Sequence, residues 1–409
     1  MENSPPATAT DFDVTADWHV AAPYEFLRRL RHERPVFRSE HLGAYVLTRH
    51  EDVRAAYGDA KRFSSEGSLT ISRSLADETR KVLGDQGSFL SSFVANVDPP
   101  THTRLRRSVS RAFTPRAVTA MEELFRRLNE DILDRVAPRG EADFVTELGH
   151  VPSAKLSARF IGVPEEDEEF VKEHVKDWFM LFLSPQPPDR QLVLARSFLT
   201  YLDYVDKLVA ARAAEPRDDF TSLMTGLIGT ELSHREVVEL ISTILLGGND
   251  TVPNQLGNSV LRLLRENAWP LPPELLRNAV EECMRIDGSS LGSFRYALDD
   301  VDLPGGEGEP VTIPRGSLVL LSTDSAAHDE TVFPGPETFD LGRPNSDAHM
   351  TFGYGIHFCV GAALARLQLR TALEVLGERL PGLRLVPGQT IAYRRSIVGR
   401  GLPSLFVEW

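Results

Sequence analysis

Residues 352–361 read Phe-Gly-Tyr-Gly-Ile-His-Phe-Cys-Val-Gly, and they are the most informative part of the sequence. Its three glycines allow a tight loop, with backbone conformations that other residues rarely adopt and with close approach of a ligand. Cys359 stands near the end of the loop, and the apolar run that begins at Ala362 predicts a helix directly after it. The positive end of that helix would stabilise a thiolate. A thiolate beside backbone N–H donors is a typical environment for a haem ligand.

The same ten residues resemble the haem-binding signature F-x-x-G-x-H-x-C-x-G of the cytochrome P-450 superfamily, and every fixed position matches. The resemblance extends from about residue 22 to residue 409 and is strongest to the soluble bacterial members. An isolated cysteine is more often a buried structural residue, but the length of this pattern outweighs that interpretation. The resemblance implies haem b, with the Cys359 thiolate as the iron ligand and with Phe352 and Gly353 in the cofactor-binding loop.

The composition is that of an ordinary globular protein, either an enzyme or a binding protein. The chain has 409 residues, of which 42% are hydrophobic and 25% are charged, and this excludes a disordered or fibrous protein. A formal net charge of −14 argues against a nucleic-acid partner. Two cysteines, Cys283 and Cys359, are too few for a disulfide framework or a four-thiolate metal site. The sequence shows no membrane-spanning run and no secretory signal, so we expect a cytoplasmic protein without a membrane partner.

Helical periodicity dominates the chain, and short β-like runs stand near its start and after Arg285. We predict a mainly α protein with small β-sheets (α+β), including a hairpin over residues 35–48 and a long helix from the capping-box pattern at Ser233 to about Asn267. No linker divides the chain, so we expect a flexible N-terminal tail over residues 1–20 and a single large catalytic domain over residues 21–409. The resemblance implies the triangular cytochrome P-450 fold, with haem between the long central helix and the helix after the cysteine loop.

Glu282 and Arg285 are three residues apart, so a helix would place them on one face within reach of an ion pair. Such pairs are common on protein surfaces and contribute little there. The spacing also resembles the E-x-x-R motif of the superfamily, and residues 339–343 resemble the downstream stretch that supplies a second arginine. By that resemblance Glu282, Arg285 and Arg343 form a buried structural network behind the haem, which serves folding and haem retention.

His102 and Arg106 are four residues apart and would share one face of a helix. Taken alone, they would fit a solvated basic helix. They also resemble the H-x-x-x-R pair of the superfamily, and Arg295 and His357 match two further positions that bind the haem propionates. Guanidinium groups suit carboxylate oxygens, so the resemblance implies that these four residues bind the cofactor.

The long helix carries Gly-Gly-Asn-Asp-Thr-Val-Pro at residues 247–253. Pro253 has no N–H and its ring clashes with the carbonyl of Asn249, so we expect a kink or a widened turn there. The alternative is a packing kink in which Thr251 bonds to its own helix. The stretch resembles the oxygen-activating A/G-G-x-D/E-T motif of the superfamily, which implies that Thr251 hydrogen-bonds dioxygen and that Asp250 relays protons from solvent. Pro253 and Asn249 depart from that motif.

Several apolar positions are candidates for the substrate pocket because of their place in the family pattern, although core packing would explain each of them equally well. They are Leu245, Gly248, Val252, Leu291, Phe294, Ile397 and Val398. After Arg285 the aromatic residue and prolines that are usual in the family are replaced by Ile-Asp-Gly-Ser-Ser at residues 286–290. This replacement predicts a more polar and more flexible pocket wall.

The resemblance implies a haem-thiolate monooxygenase that inserts one atom of dioxygen into a small organic substrate in specialised (secondary) metabolism. The same centre could instead couple aromatic rings oxidatively or oxidise a carrier-bound amino acid. A haem-binding sensor without turnover is the non-enzymatic alternative. The intact pair of Asp250 and Thr251 favours catalysis, because a sensor has no need of proton delivery.

No flavin or nicotinamide domain is predicted, so we expect ferredoxin and ferredoxin reductase to supply the electrons. We also expect the protein to be a monomer. Residues 99–121 and 348–371 contain arginines but neither Asp nor Glu. We predict that both stretches lie beside Cys359 and form a basic docking surface for an acidic ferredoxin. Ordinary solvated helix surface is the alternative.

Overall fold

The computed structural model describes residues 9, 12–16, 18–19, 23–70, 75–86, 93–183, 186–306, 310–396 and 399–409. These residues are mainly α-helical with short strands, as the sequence predicts. Most of the predicted N-terminal tail lies outside the described residues. Within the described ranges, no helix is both long enough and apolar enough to cross a membrane.

The helices and strands are numbered here in chain order. The helices are α1 Tyr24–Glu33, α2 His50–Gly58, α3 Asp77–Leu83, α4 Thr101–Ser110, α5 Pro115–Val136, α6 His150–Ile161, α7 Glu168–Leu183, α8 Pro188–Ala214, α9 Phe220–Thr225, α10 His234–Arg265, α11 Leu276–Ile286, α12 Thr323–Ala326 and α13 Ala362–Arg379. The strands are β1 Val36–Ser39, β2 Ala44–Leu47, β3 Phe63–Ser64, β4 Glu141–Asp143, β5 Gly292–Ala297, β6 Val301–Leu303, β7 Val311–Ile313, β8 Leu318–Ser322, β9 Arg384–Leu385 and β10 Phe406–Glu408.

The chain divides into two compact units. The first unit consists of residues 1–64, 129–149 and 251–409, and the second consists of residues 65–128 and 150–250. The boundary between them crosses α10 after Asp250. The single domain expected over residues 21–409 stays a prediction.

The first unit is built on a five-stranded sheet with the order β1-β2-β8-β5-β3. The predicted hairpin over residues 35–48 is confirmed, because β1 and β2 pair antiparallel with Val36 opposite Leu47. Strand β8 pairs parallel to β2 and antiparallel to β5. Alternate residues of β8, Val319 and Leu321, are fully buried in the same apolar cluster as Val36 and Leu47. This sheet fixes the start of β5, where a candidate pocket segment begins.

The long helix α10 begins with the predicted capping box. The Ser233 N–H donates to Glu236 Oε2 at 2.8 Å, and the Glu236 N–H donates to Ser233 Oγ at 3.2 Å. These two bonds satisfy backbone donors that a helix start leaves open. The helix continues through Pro253 and ends at Arg265, just before Asn267 takes a left-handed conformation with φ 54°.

The second unit has an aromatic core between its helices. Trp178 and Phe182 on α7 lie against Phe198 on α8, with ring centroids 6.3 Å and 4.9 Å apart. Tyr201, one turn further along α8, is fully buried and donates its hydroxyl to the Ser242 carbonyl on α10 at 3.4 Å. These contacts pack α7, α8 and the first part of α10 together.

Candidate active site

The loop that contains Cys359 is shaped by two glycines with left-handed backbone conformations. Gly353 has φ +71° and Gly355 has φ +72°. A Cβ at Gly355 would lie 2.5 Å from the carbonyl oxygen of Tyr57, so glycine is required there on two grounds. The Cys359 N–H donates to the Phe352 carbonyl at 2.9 Å. The loop therefore closes just ahead of α13, which places the thiol near the start of that helix.

Cys359 is exposed, and the residues around it expose apolar surface. Tyr354, Ile356 and Phe358 are 39%, 42% and 38% exposed, and clustered exposed apolar side chains mark a binding surface. Among the described residues no group of three or more His, Cys, Asp or Glu side chains could hold a metal ion. The exposed thiol and the apolar side chains around it are the features that can be tested against an iron porphyrin. Iron porphyrin offers both nitrogen ligands and large apolar faces, so the residues present fit haem.

Two of the predicted propionate-binding residues lie in the same unit as Cys359. Arg295 on β5 is 6% exposed, and its guanidinium group lies 5.4 Å from the centroid of the Tyr57 ring. Burial raises the pKa of Tyr57, and the positive charge of Arg295 opposes that rise. His357 ends the short 3-10 turn Gly355–His357 within the cysteine loop. The structure thus places His357 two residues from the thiol and Arg295 on the neighbouring sheet.

The other two predicted propionate-binding residues, His102 and Arg106, lie on α4 in the second unit. His102 is buried, whereas Arg106 is half-buried. The His102 N–H donates to the Asp98 carbonyl at 2.9 Å, within the first turn of the helix. Both residues are on one helix, as their spacing predicts, and their role toward the propionates stays a prediction.

Asp250 and Thr251 are adjacent on α10, where Asp250 is half-buried and Thr251 is exposed. The side-chain amide of Asn249 donates to the Leu245 carbonyl at 2.6 Å, so this unusual residue bonds to its own helix. Pro253 removes the N–H that would otherwise bond to the Asn249 carbonyl, yet the helical conformation is retained on both sides of it. The predicted kink near Asn249 stays a prediction.

The apolar candidates for the substrate pocket are mostly buried. Leu245, Val252, Leu291 and Phe294 are between 0% and 6% exposed. Gly248 faces α6, where an added Cβ would lie 2.4 Å from Ser157 Oγ, so this glycine permits close packing of the two helices. Ile397 and Val398 lie outside the described residues.

The structure brings Glu282, Arg285 and Arg343 together in one buried network. Arg285 donates from Nε and Nη2 to the two carboxylate oxygens of Glu282, both at 2.8 Å. Arg343 Nε lies 3.1 Å and 3.2 Å from the same oxygens. The remaining guanidinium N–H groups donate to backbone carbonyls, including those of Pro336 and Pro334. The charged atoms are thus paired and hydrogen-bonded, as buried charges must be.

A second ionic cluster, which sequence reasoning missed, joins α11 to the cysteine loop. Arg366 on α13 donates from Nε and Nη2 to the Glu281 carboxylate at 2.6 Å and 2.9 Å. His349 Nε2 lies 3.2 Å from the same carboxylate. The Arg366 guanidinium group also covers the Phe352 ring at 4.6 Å. Burial alone would raise the pKa of Glu281, but the hydrogen bonds from His349 and Arg366 outweigh it and lower the pKa to about 2. Two consecutive glutamates, of which only Glu282 fits the E-x-x-R spacing, were the available signal.

The predicted basic surface on α4 is partly neutralised by acids from elsewhere in the second unit. Arg104 Nη2 lies 2.5 Å from Glu236, and Arg111 Nη2 lies 2.7 Å from Glu231. Arg107 Nη2 lies 3.5 Å from the same Glu231. The stretch without acids in sequence is therefore not free of acids in space, because Glu231, just before α10, and Glu236, in the first turn of α10, supply them.

Comparison with known proteins identifies the family. A family model described as Cytochrome P450 matches residues 274–377. The chain is 33% identical over 378 residues to Cytochrome P450 107B1 of Saccharopolyspora erythraea. The alignment covers 90% of this chain and 89% of that relative. The chain belongs to the cytochrome P450 family.

Two further matches agree with this assignment. The P450 chain is 33% identical to the Mycinamicin IV hydroxylase/epoxidase of Micromonospora griseorubida, over 92% of this chain and 91% of that one. The structure matches the Tepidiphilus thermophilus P450 heme domain with a TM-score of 0.91 at 27% identity, over 98% and 97% of the two chains. The P450 fold that the sequence predicts is thereby confirmed. As a cytochrome P450, the protein is a monooxygenase that uses dioxygen and a haem with a cysteine thiolate ligand.

Proposed function

We propose that this P450 oxygenates a small apolar or amphipathic molecule of secondary metabolism. The observation that carries the proposal is the exposed Cys359 thiol, which stands in an apolar loop at the start of α13. The substrate class is supported by relatives such as the one named a mycinamicin hydroxylase/epoxidase. In this proposal the pocket that takes the substrate is lined by Leu245, Gly248, Val252, Leu291, Phe294, Ile397 and Val398.

In this proposal Cys359 supplies the thiolate that ligates the haem iron, and its loop, with Phe352 and Gly353, supports the cofactor. The four residues proposed to bind the propionates are His102, Arg106, Arg295 and His357. When bound, the haem supplies the oxidation chemistry, which the protein directs by orientation, proton supply and exclusion of water.

Two residues on α10 handle protons. The Thr251 hydroxyl, at Oγ1, donates a hydrogen bond toward the reacting dioxygen and accepts a proton to pass on. The Asp250 carboxylate, half-buried beside it, exchanges protons with solvent. The partial exposure of Asp250 supports this relay, because it gives the carboxylate access to solvent. Since successive helix residues point about 100° apart, a water molecule would carry the proton from Asp250 to Thr251.

The first experiment tests the thiolate and the activity. The ferrous–carbonyl spectrum of the haem-loaded protein should show the red-shifted Soret band of a thiolate ligand, and Cys359→Ser should remove that band. Thr251→Ala should then lower the ratio of product formed to NADH consumed when surrogate reductases and a panel of secondary metabolites are supplied.

Thr243→Ala on the same helix is the matched control, because the Thr243 hydroxyl bonds the Leu240 carbonyl at 3.0 Å within the helix. Equal coupling in Thr251→Ala and wild type would contradict the role given to Thr251. A thiolate spectrum without any turnover across substrates would favour the sensor alternative. Products with coupled aromatic rings would favour oxidative coupling, and an oxidised carrier-bound amino acid would favour that alternative activity.

We further propose that an acidic ferredoxin, itself reduced by a ferredoxin reductase, supplies the electrons and docks partly on α4. Glu231 binds both Arg107 and Arg111 and reduces the positive charge available there. Glu231→Gln should therefore raise the rate of reduction by ferredoxin at low salt, and Arg107→Glu should lower it. Both effects should become smaller as salt screens the charges. If the rate of reduction by ferredoxin changes neither with salt nor with either substitution, docking at α4 is ruled out.

A further inference from the structure

The part of α10 that follows Thr251 carries a stripe of buried polar residues. We call Gln255, Asn258, Ser259 and Arg262 the polar stripe, and their spacing of three, four and seven residues puts them on one face of the helix. Gln255, Asn258 and Ser259 are 3%, 0% and 1% exposed. Buried polar side chains require hydrogen-bond partners, so this face must meet polar groups rather than an apolar core.

The partner of Gln255 is the backbone that leaves α11. Its Nε2 lies 3.3 Å from both the Cys283 and the Asp287 carbonyl oxygens. Its Oε1 accepts from the Ser289 N–H at 2.8 Å. One side-chain amide therefore binds the end of the helix and the first residues of the segment that follows, so it sets the direction in which the chain leaves α11.

Asn258 extends the same contact to a second segment. Its Nδ2 donates to the Asp287 carbonyl at 3.1 Å and to the Arg400 carbonyl at 3.2 Å. The Arg400 N–H in turn donates to the Ser289 carbonyl at 2.9 Å. Residues 287–289 and the chain at Arg400 are thus held together by one amide of the polar stripe.

The Asp287 side chain completes the arrangement. Arg262 Nε donates to Asp287 Oδ2 at 2.7 Å, and the Tyr24 hydroxyl lies 3.3 Å from Oδ1. Arg400 Nη1 donates to the same hydroxyl at 3.0 Å. Asp287 is one of the residues that replace the usual aromatic residue and prolines of the family. The replacement thus supplies a buried carboxylate that the polar stripe binds.

The segment held in this way leads directly into the predicted pocket wall. Leu291 stands two residues after Ser289, and its carbonyl accepts from the Thr323 N–H at 3.1 Å. Phe294 is already inside the sheet, where it pairs with Leu320 of β8. The wall is therefore held by the sheet from Gly292 onward and by the Thr323 N–H at Leu291. Its Ser289 end is held by the Gln255 amide and by the Arg400 N–H.

We propose that Gln255 is a positioning residue that fixes the Ser289 end of the substrate wall and so determines which ligands fit beside Leu291. The inference rests on the proposed function, because it takes Leu291 and Phe294 as pocket residues. Without the Gln255 amide, the buried Ser289 N–H would lose its acceptor, and an unsatisfied buried donor is costly. The segment would then shift to find another partner while Phe294 stayed in the sheet.

The test uses the haem-loaded protein and two azole probes whose binding changes the haem spectrum. Imidazole is small and reports on the iron site, whereas 4-phenylimidazole carries an added phenyl ring that needs room in the proposed pocket. Gln255→Met keeps the length of the side chain but removes the amide. We expect it to weaken binding of 4-phenylimidazole about tenfold, which corresponds to about 1.4 kcal/mol, and to leave binding of imidazole unchanged. Gln255→Asn keeps the amide on a shorter side chain. It replaces Gln255→Met in the test if that variant fails to retain haem.

Trp269→Phe is the matched control. It removes a hydrogen bond of 3.0 Å from the indole N–H to the Leu380 carbonyl, in the same unit but away from the wall. We expect it to leave the affinity ratio of the two azoles unchanged even where it lowers stability.

Leu291→Ala separates the two levels of the inference. If Leu291→Ala alters the binding of 4-phenylimidazole but neither Gln255 variant does so, the positioning role is wrong and the proposed function stands. If Leu291→Ala and the Gln255 variants all leave that binding unchanged, the pocket assignment and the inference are wrong together. If the Gln255 variants weaken both azoles equally, the effect passes through the haem site and the inference is also overturned.

Discussion

The Glu282 network offers the sharpest test of how buried charge stabilises this fold. The substitution Glu282→Gln keeps the shape of the side chain and removes its charge. In the native protein the carboxylate faces Arg285 and Arg343 and also accepts the Asp340 N–H at 3.1 Å. The Glu282 and Arg285 side chains are both fully buried, so water cannot replace what the substitution removes.

The expected loss is large relative to the stability of a protein. Removing one partner of a buried ion pair typically costs about 3–5 kcal/mol, because it leaves an uncompensated buried charge. Here two guanidinium groups share the one carboxylate. Native proteins are stable by only about 5–15 kcal/mol, so Glu282→Gln should remove about a fifth or more of the free energy of unfolding.

Urea unfolding of the haem-loaded protein, followed by circular dichroism, measures this loss, and the haem content after purification gives a second readout. Glu147→Gln is the matched control, because Glu147 binds Arg139 through two hydrogen bonds of 2.5 Å and 2.8 Å at the surface. Exposed pairs contribute little. The reasoning would be refuted if Glu282→Gln lowered the free energy of unfolding by no more than Glu147→Gln does.

Two further predictions concern the surroundings of the cysteine loop. The pKa of Glu281 is lowered from 4.5 to about 2, so its carboxylate stabilises the fold above about pH 4.5, and this contribution is lost as the pH falls toward about 2. Glu281→Gln should therefore make the free energy of unfolding less dependent on pH between about pH 5 and pH 3, and an unchanged slope in acid titration would contradict this. Gly355→Ala should lower haem content and stability far more than Gly43→Ala, because an added Cβ meets Tyr57 only at Gly355 while both glycines have positive φ. Parallel thermal melts that showed equal losses for the two variants would exclude the steric argument.

The features that could be predicted from the sequence are those set by local spacing. The pairing of Glu282 with Arg285 follows from a separation of three residues, and the capping box at Ser233 follows from the same rule. Glycines at 353 and 355 likewise predict a loop whose backbone is left-handed. Each of these features depends only on neighbours within one turn of chain.

The features that were missed depend on the fold bringing distant residues together. Glu231 binds Arg111 across a separation of 120 residues, so a stretch that reads as basic is paired in three dimensions. Glu281 binds Arg366 across 85 residues, which turns a residue predicted for ferredoxin docking into part of the support of the cysteine loop. Charge patterns along a sequence do not reveal such partners, because they depend on packing and not on spacing.

The two adjacent glutamates of α11 show how one helix can hold two different segments of the chain. Successive residues of a helix point about 100° apart, so Glu281 and Glu282 face different partners. Glu282 binds Arg285 and Arg343, whereas Glu281 binds Arg366 on α13. The two carboxylates have no partner in common in these contacts, so each cluster can fix its own segment against the same helix. The position of the cysteine loop is therefore set by charges on α11 as well as by its glycines.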